Sequence, residues 1–172
     1  MGVRISGSDG RRLLIAAAVL GVGACNASTP TQFTAAHREA IVDSVRTMFG
    51  AWIDALNAKD FARAGTFYSS DSAFRWYEDG RLTYTSGQMV RDSMMAMAPG
   101  LRAFNVNFTD PRITAVGPGA AVITSEFAEK LTDTTGAIVG YAGALSVSVV
   151  HADSGWRLLI GHNSTLPAPK RP

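Results

Sequence analysis

The sequence predicts an α+β fold: a cone-shaped, curved antiparallel sheet with three N-terminal helices enclosing a cavity. Three observations carry that prediction. Apolar residues recur at helical spacing from position 41 to 56. After Pro99-Gly100 the period drops to two, with Phe104, Val106 and Phe108 alternating with Asn105 and Asn107. Helices first and strands afterwards is an α+β order. Last, Gly140, Gly143 and Gly161 fall inside strand patterns, where glycine relieves crowding in a strongly bent sheet. A bent sheet with a long helix across its concave side leaves a cone-shaped space.

The first helix is predicted from residue 35 or 36 to residues 57–59. Ile41, Val45, Met48, Phe49, Trp52, Ile53 and Leu56 form its apolar face, while Asp43, Arg46, Thr47 and Asp54 occupy much of the rest. Asp60 can cap a second helix with Phe61, Ala64, Phe67 and Tyr68 on its inner side. Ser69-Ser70-Asp71-Ser72 breaks it. The next strand puts Phe74 and Trp76 on one face and Arg75 and Tyr77 on the other. Asp79-Gly80 turns the chain, and Arg81–Tyr84 runs back as a short strand.

Thr85, with Gln88 three residues on, forms a capping box for a third helix. That helix carries Val90, Met94, Met97 and Leu101 inward. After the strand through Phe104 and Phe108, residues 113–116 read as a short strand ended by Gly117-Pro118-Gly119. Residues 120–130 and 137–150 are long strands joined by a turn at Asp133-Thr134-Thr135-Gly136. The final strand sets Trp156, Leu158, Ile160, His162 and Ser164 on one face, with Arg157, Leu159, Gly161 and Asn163 on the other.

A chain of 172 residues fits one domain with a real core. Its 47% hydrophobic content exceeds what that domain needs, and the surplus lies at the N-terminus. Arg4, Arg11 and Arg12 precede an apolar run over residues 13–24 and then Cys25, the layout of an export signal. The run is shorter than the roughly 20 residues that span a bilayer. Residues 1–24 are therefore read as a signal peptide and 25–35 as a flexible tether rich in Ser, Thr, Pro and Ala. The folded domain is 36–166, and 167–172 form a polar tail. Cys25 is the only cysteine, so no internal disulfide is available. Beyond residue 24 there are 13 basic and 13 acidic residues, and such a balance gives no electrostatic footprint for nucleic acid.

Val22-Gly23-Ala24-Cys25 resembles a bacterial lipobox, with Val where Leu is usual; that resemblance implies lipid attachment at Cys25 and a membrane anchor on the outer side of the cytoplasmic membrane or the cell surface. Gly10-Arg11-Arg12-Leu13-Leu14-Ile15 resembles a twin-arginine export motif. The domain itself resembles the nuclear transport factor 2-like superfamily, in its SnoaL-like and steroid-isomerase-like branch. Residues 52–56, Asp60-Phe61, Phe67-Tyr68-Ser69-Ser70-Asp71, Asp79-Gly80 and the ending Gly155-Trp156-Arg157-Leu158 to His162-Asn163-Ser164 carry the likeness. The superfamily holds enzymes, binding proteins and interaction modules, so the fold does not assign a function.

The steroid-isomerase resemblance implies a carboxylate base near Trp76, a phenol donor near Trp52 and a second acid near Ser146 or Val147. None of those positions holds the required group. Another constellation remains open. His162, on the predicted face of Trp156, Leu158 and Ile160, is either a general base at the cavity or a structural histidine bonded to a neighbour such as Ser164. Glu126, sharing a face with Val122 and Thr124, points either inward or to solvent, and Glu78 falls at the rim. The firmer pattern is aromatic: Trp52, Phe74, Trp76, Tyr84, Phe104 and Phe108 either line a small-molecule cavity or fill the cone as core.

The glycines of Gly117-Pro118-Gly119 open no helix, so no phosphate cradle is indicated. No cysteine or further histidine falls at metal-ligand offsets from His37, His151 or His162. The expectation is a lipid-anchored, exported domain without cofactor or metal, binding a small apolar or aromatic molecule through Trp52, Phe74, Trp76, Tyr84, Phe104 and His162. Two rivals stand beside it: a cyclase- or isomerase-type enzyme using His162 with Glu126 or Glu78, and a homodimerising module using outer-face residues such as Ser146, Ser148 and Val150.

Overall fold

The structure, a computed structural model, describes residues 33–166. The predicted signal peptide, Cys25, most of the tether and the polar tail lie outside the described residues. Helix α1 is Ala35–Asn57, capped by Thr34, whose hydroxyl accepts the backbone N–H of His37 at 3.2 Å. Its apolar stripe buries Val45, Met48, Phe49, Trp52 and Leu56, as the spacing predicts. The helix ends through Ala58 and Lys59, the latter at φ 56°. The Lys59 ammonium there donates to the Leu101 carbonyl. Helix α2, Phe61–Gly65, is capped by Asp60.

Strands β1 (Arg75–Glu78) and β2 (Arg81–Tyr84) form a hairpin around Asp79-Gly80, both at positive φ as a type I′ turn requires. Helix α3, Gly87–Met97, follows. Its cap is Ser86, accepting from the Met89 N–H, and not the predicted Thr85; with Met three residues on and Gln88 bonded to Asp92, no reciprocal capping box forms. A single 3-10 turn, Ala98–Gly100, leads to β3 (Leu101–Gly117), β4 (Ala120–Asp133), β5 (Ile138–Ala152) and β6 (Gly155–Thr165). Leu101, predicted for the third helix, opens β3 instead.

The six strands are ordered β2-β1-β6-β5-β4-β3. The expected wholly antiparallel sheet needs one correction: β1 lies parallel to β6. These two strands are joined through β2, α3 and β3 to β5, so no hairpin fixes their relative direction. The two segments predicted within β3 are one strand bent by a bulge. Thr109 pairs with Glu126 and Arg112 with Thr124, so Asp110 and Pro111 together face Ser125. Pro111 cannot donate to a ladder, and the Ser125 hydroxyl bonds the Thr109 carbonyl at 2.8 Å.

A second bulge has larger consequences. Val149 pairs with Leu158 and Ser148 with Ile160, leaving Leu159 as an extra residue in β6. From that point each β6 side chain faces the side opposite to the one strict alternation predicts. Helix α1 packs chiefly on β3 and also meets β4 and β6. Trp156 secures it near its middle by donating from Nε1 to the Ser44 hydroxyl at 3.0 Å.

Candidate functional site

Between α1, α3, the β1–β2 hairpin and the inner sheet face is a cavity of about 260 Å³. Trp52 comes from α1, Trp76 from β1, Phe104, Val106 and Phe108 from β3, and Phe127 and Glu129 from β4. Tyr84 and α3 residues Val90, Ser93, Met94 and Met97 form another side. The Tyr84 and Ser93 hydroxyls are 2.9 Å apart and tie the hairpin to α3.

The aromatic wall combines edge contacts around Tyr68 with tilted ones through Phe108. Tyr68 stands at its centre, with ring centroids 6.2 Å from Trp52 and 5.4 Å from Trp76, at interplanar angles of 82° and 73°. The segment after α2 places Tyr68 by pairing with β6: Ser69 donates to the Leu158 carbonyl and Leu158 to the Phe67 carbonyl, both at 2.8 Å. Trp76 owes its seat to Gly161, directly beside it in the β1–β6 register. A Cβ on that glycine would land inside the indole. Trp52 and Trp76 thus face a shared space, neither far apart nor stacked solidly on each other.

Polar groups interrupt the wall at a few points. Trp52 is 4% exposed, yet its Nε1 has no hydrogen-bond partner. The indole N–H lies near enough to the Tyr68 phenol to favour the anion slightly, but falls short of a hydrogen bond. Burial dominates at Tyr68 and raises its phenol well above the usual range, so the hydroxyl stays protonated and able to donate. Asn163 Oδ1 is likewise buried without a partner. Two carboxyl groups line the same cavity, Glu78 and Glu129. Burial raises both, and the charge of Glu78 adds to the effect at Glu129, whose carboxyl is pushed up to about 6.

Of the residues singled out from sequence, Trp52, Trp76, Tyr84, Phe104, Phe108 and Glu78 come together at this cavity. Three do not. Phe74, fully buried, packs behind Tyr68 in the core, at 6.2 Å between ring centroids. His162 lies on the outer sheet face with Tyr77, Val122 and Ser146, because the Leu159 bulge reverses its side. Glu126 also faces outward, beside Thr124 and Ser146. Its strand buries Ala121, Ile123, Ser125 and Phe127, so the inward parity is odd and brings Glu129 to the cavity. The pairing of His162 with either glutamate is therefore excluded as a cavity dyad.

Tyr68, Phe127, Glu129 and Asn163 were missed. For Glu129 the signal was present: Ile123 and Phe127 outweigh Val122 and Thr124 as an apolar face. For Asn163 there was none, since nothing in Leu158-Leu159-Ile160 marks a bulge. Among the described residues no group of three or more His, Cys, Asp or Glu is placed to hold a metal ion.

A SnoaL-like domain signature matches residues 45–169. The chain belongs to the SnoaL-like family. Solved structures share the fold at low identity. A proposed scytalone dehydratase from Novosphingobium aromaticivorans superposes with a TM-score of 0.70 at 12% identity, covering 78% of this chain and 89% of that one. A nuclear transport factor 2-like superfamily protein from Salmonella enterica gives 0.65 at 13% identity, over 77% and 95% of the two chains. A type 2 hexachlorocyclohexane dehydrochlorinase gives 0.64 at 11% identity, over 80% and 100%. No curated protein matches the chain in sequence. At these identities the likeness establishes the nuclear transport factor 2-like fold of this SnoaL-like domain and nothing about its chemistry.

Proposed function

We propose that this SnoaL-like domain binds a small, largely apolar or aromatic molecule in its cone, and that it does so outside the cytoplasm, anchored through a lipid on Cys25. The observation that carries the binding reading is the aromatic-walled cavity of about 260 Å³ in which the buried Trp52 Nε1 and Asn163 Oδ1 lack protein partners. A buried donor without a partner costs about 1–3 kcal/mol, and a ligand acceptor beside Trp52 would recover much of it. A thermal-shift screen of aromatic molecules tests the reading: binders should raise the melting temperature, and silence across a broad library would overturn it. Anchoring rests on the basic n-region, the apolar run and the Cys25 motif. Cys25→Ser should release the protein from the membrane fraction; unchanged partitioning would remove the anchor.

Glu129 supports a second reading, proton transfer to or from the bound molecule. A carboxyl pushed up to about 6 is matched to general acid–base work near neutral pH, and two of the structural neighbours bear names of eliminating enzymes. Here Glu129 with Glu78 replaces the His162 dyad. A substrate screen monitored for elimination or isomerisation checks it. Turnover should fall at least a hundredfold in Glu129→Gln, and turnover kept by that variant would exclude the role.

A further inference from the structure

The cavity joins features that point to one class of ligand. Glu78 and Glu129 line it together, and no Lys, Arg or His stands among its lining residues. Neither carboxylate takes part in an ion pair; the ion pairs of the described residues are Arg46 with Asp43 and Arg112 with Asp110, both elsewhere. Two like charges in a half-desolvated space raise the energy of the empty site. The third acceptor is Asn163 Oδ1, buried and unpartnered, on the residue directly beside Glu78 in the β1–β6 register. Around these acceptors stand the rings of Tyr68, Trp76 and Trp52, whose faces attract cations.

An amide oxygen that lacks a donor, negative charge that lacks a counter-charge and electron-rich rings all favour the same guest. We propose that the ligand is an organic cation, a protonated amine on an apolar body. Its ammonium donates to Glu78, Glu129 and Asn163 Oδ1, and its body lies against the aromatic wall. The Trp52 N–H, 96% of its residue being buried, is left for an acceptor such as a hydroxyl or ether on that body. This inference rests on the binding reading and deepens it.

The test compares phenethylamine with phenethyl alcohol, nearly equal in shape and differing in charge, by calorimetric titration of the full chain at pH 8. The amine should bind at least tenfold more tightly. Glu129→Gln and Glu78→Gln should each remove most of that preference, with circular dichroism confirming that both variants are folded. Equal or tighter binding of the alcohol would overturn the cation inference and leave the binding reading standing. A preference for the amine that survives in the double variant would place the charge elsewhere and overturn it too. Failure of both probes to bind would overturn the inference together with the cavity reading beneath it.

Discussion

Gly161 and Trp76 are coupled by space alone. The glycine has no side chain because the indole occupies the volume where a Cβ would stand. Gly161→Ala should therefore displace Trp76 and cost about 1–3 kcal/mol, the usual range for overpacking. Near-UV circular dichroism and urea unfolding would register the two effects. Glu129 behaves in the opposite sense. Its carboxyl is raised from 4.5 to about 6 by burial and by Glu78, so the native state holds that proton more tightly than the unfolded chain. The favourable contribution is complete at low pH and is lost as pH rises from about 4.5 through about 6. Glu129→Gln should flatten that decline and stabilise the protein at pH 8 by roughly 1–2 kcal/mol. Denaturant titrations at pH 4.5 and 8 would show it; a variant less stable at pH 8 would contradict it.

At the scale of elements, the open edge of the sheet is guarded by a side chain. β3 is terminal in the strand order. Asn57, the last residue of α1, donates from Nδ2 to the Val106 carbonyl at 3.0 Å and accepts the Val106 N–H at Oδ1 at 2.7 Å. The amide thus does for Val106 what a neighbouring strand would do. Asn57→Ala should cost roughly 1–2 kcal/mol and speed hydrogen exchange at Val106, while Asn57→Asp should recover only the N–H bond. Elements were the most legible level of the sequence. The α1 stripe, the Asp79-Gly80 hairpin and the long β4 and β5 patterns were readable because periodicity reports which face is buried. The parallel β1–β6 pairing and the Leu159 bulge were not, because register between distant segments is set by packing and leaves no local mark. Half the site depended on it: Trp52, Trp76 and Tyr84 were in reach of sequence reasoning, whereas Asn163 and the exclusion of His162 were not.

At the scale of the molecule, α1 is held to the sheet near its middle by the Trp156–Ser44 bond and at its C-terminal end by the contacts of Asn57 and Lys59. The cone is thus closed by a braced helix with a void beneath it. Two of the three tryptophans, Trp52 and Trp76, line that void, and Trp156 does not. Ligand binding should change the emission of the first two only, so Trp156→Phe should keep the ligand-induced signal and Trp52→Phe should lose a large part of it. A ligand present at one hundred times its dissociation constant should stabilise the whole domain by about 2.7 kcal/mol, read as a rise in melting temperature.

The extra residue at Leu159 also bears on how such a protein can change. Removing it would turn positions 160–165 over by one side, bringing the His162 imidazole into the interior and sending Asn163 out. A single codon gained or lost would swap an amide for a titratable ring at the wall of the chamber without a substitution at either site. Descendants of one ancestral cone could then acquire or discard a base by slippage of one strand, and their inner surfaces must be matched by strand partner and not by counting along the chain.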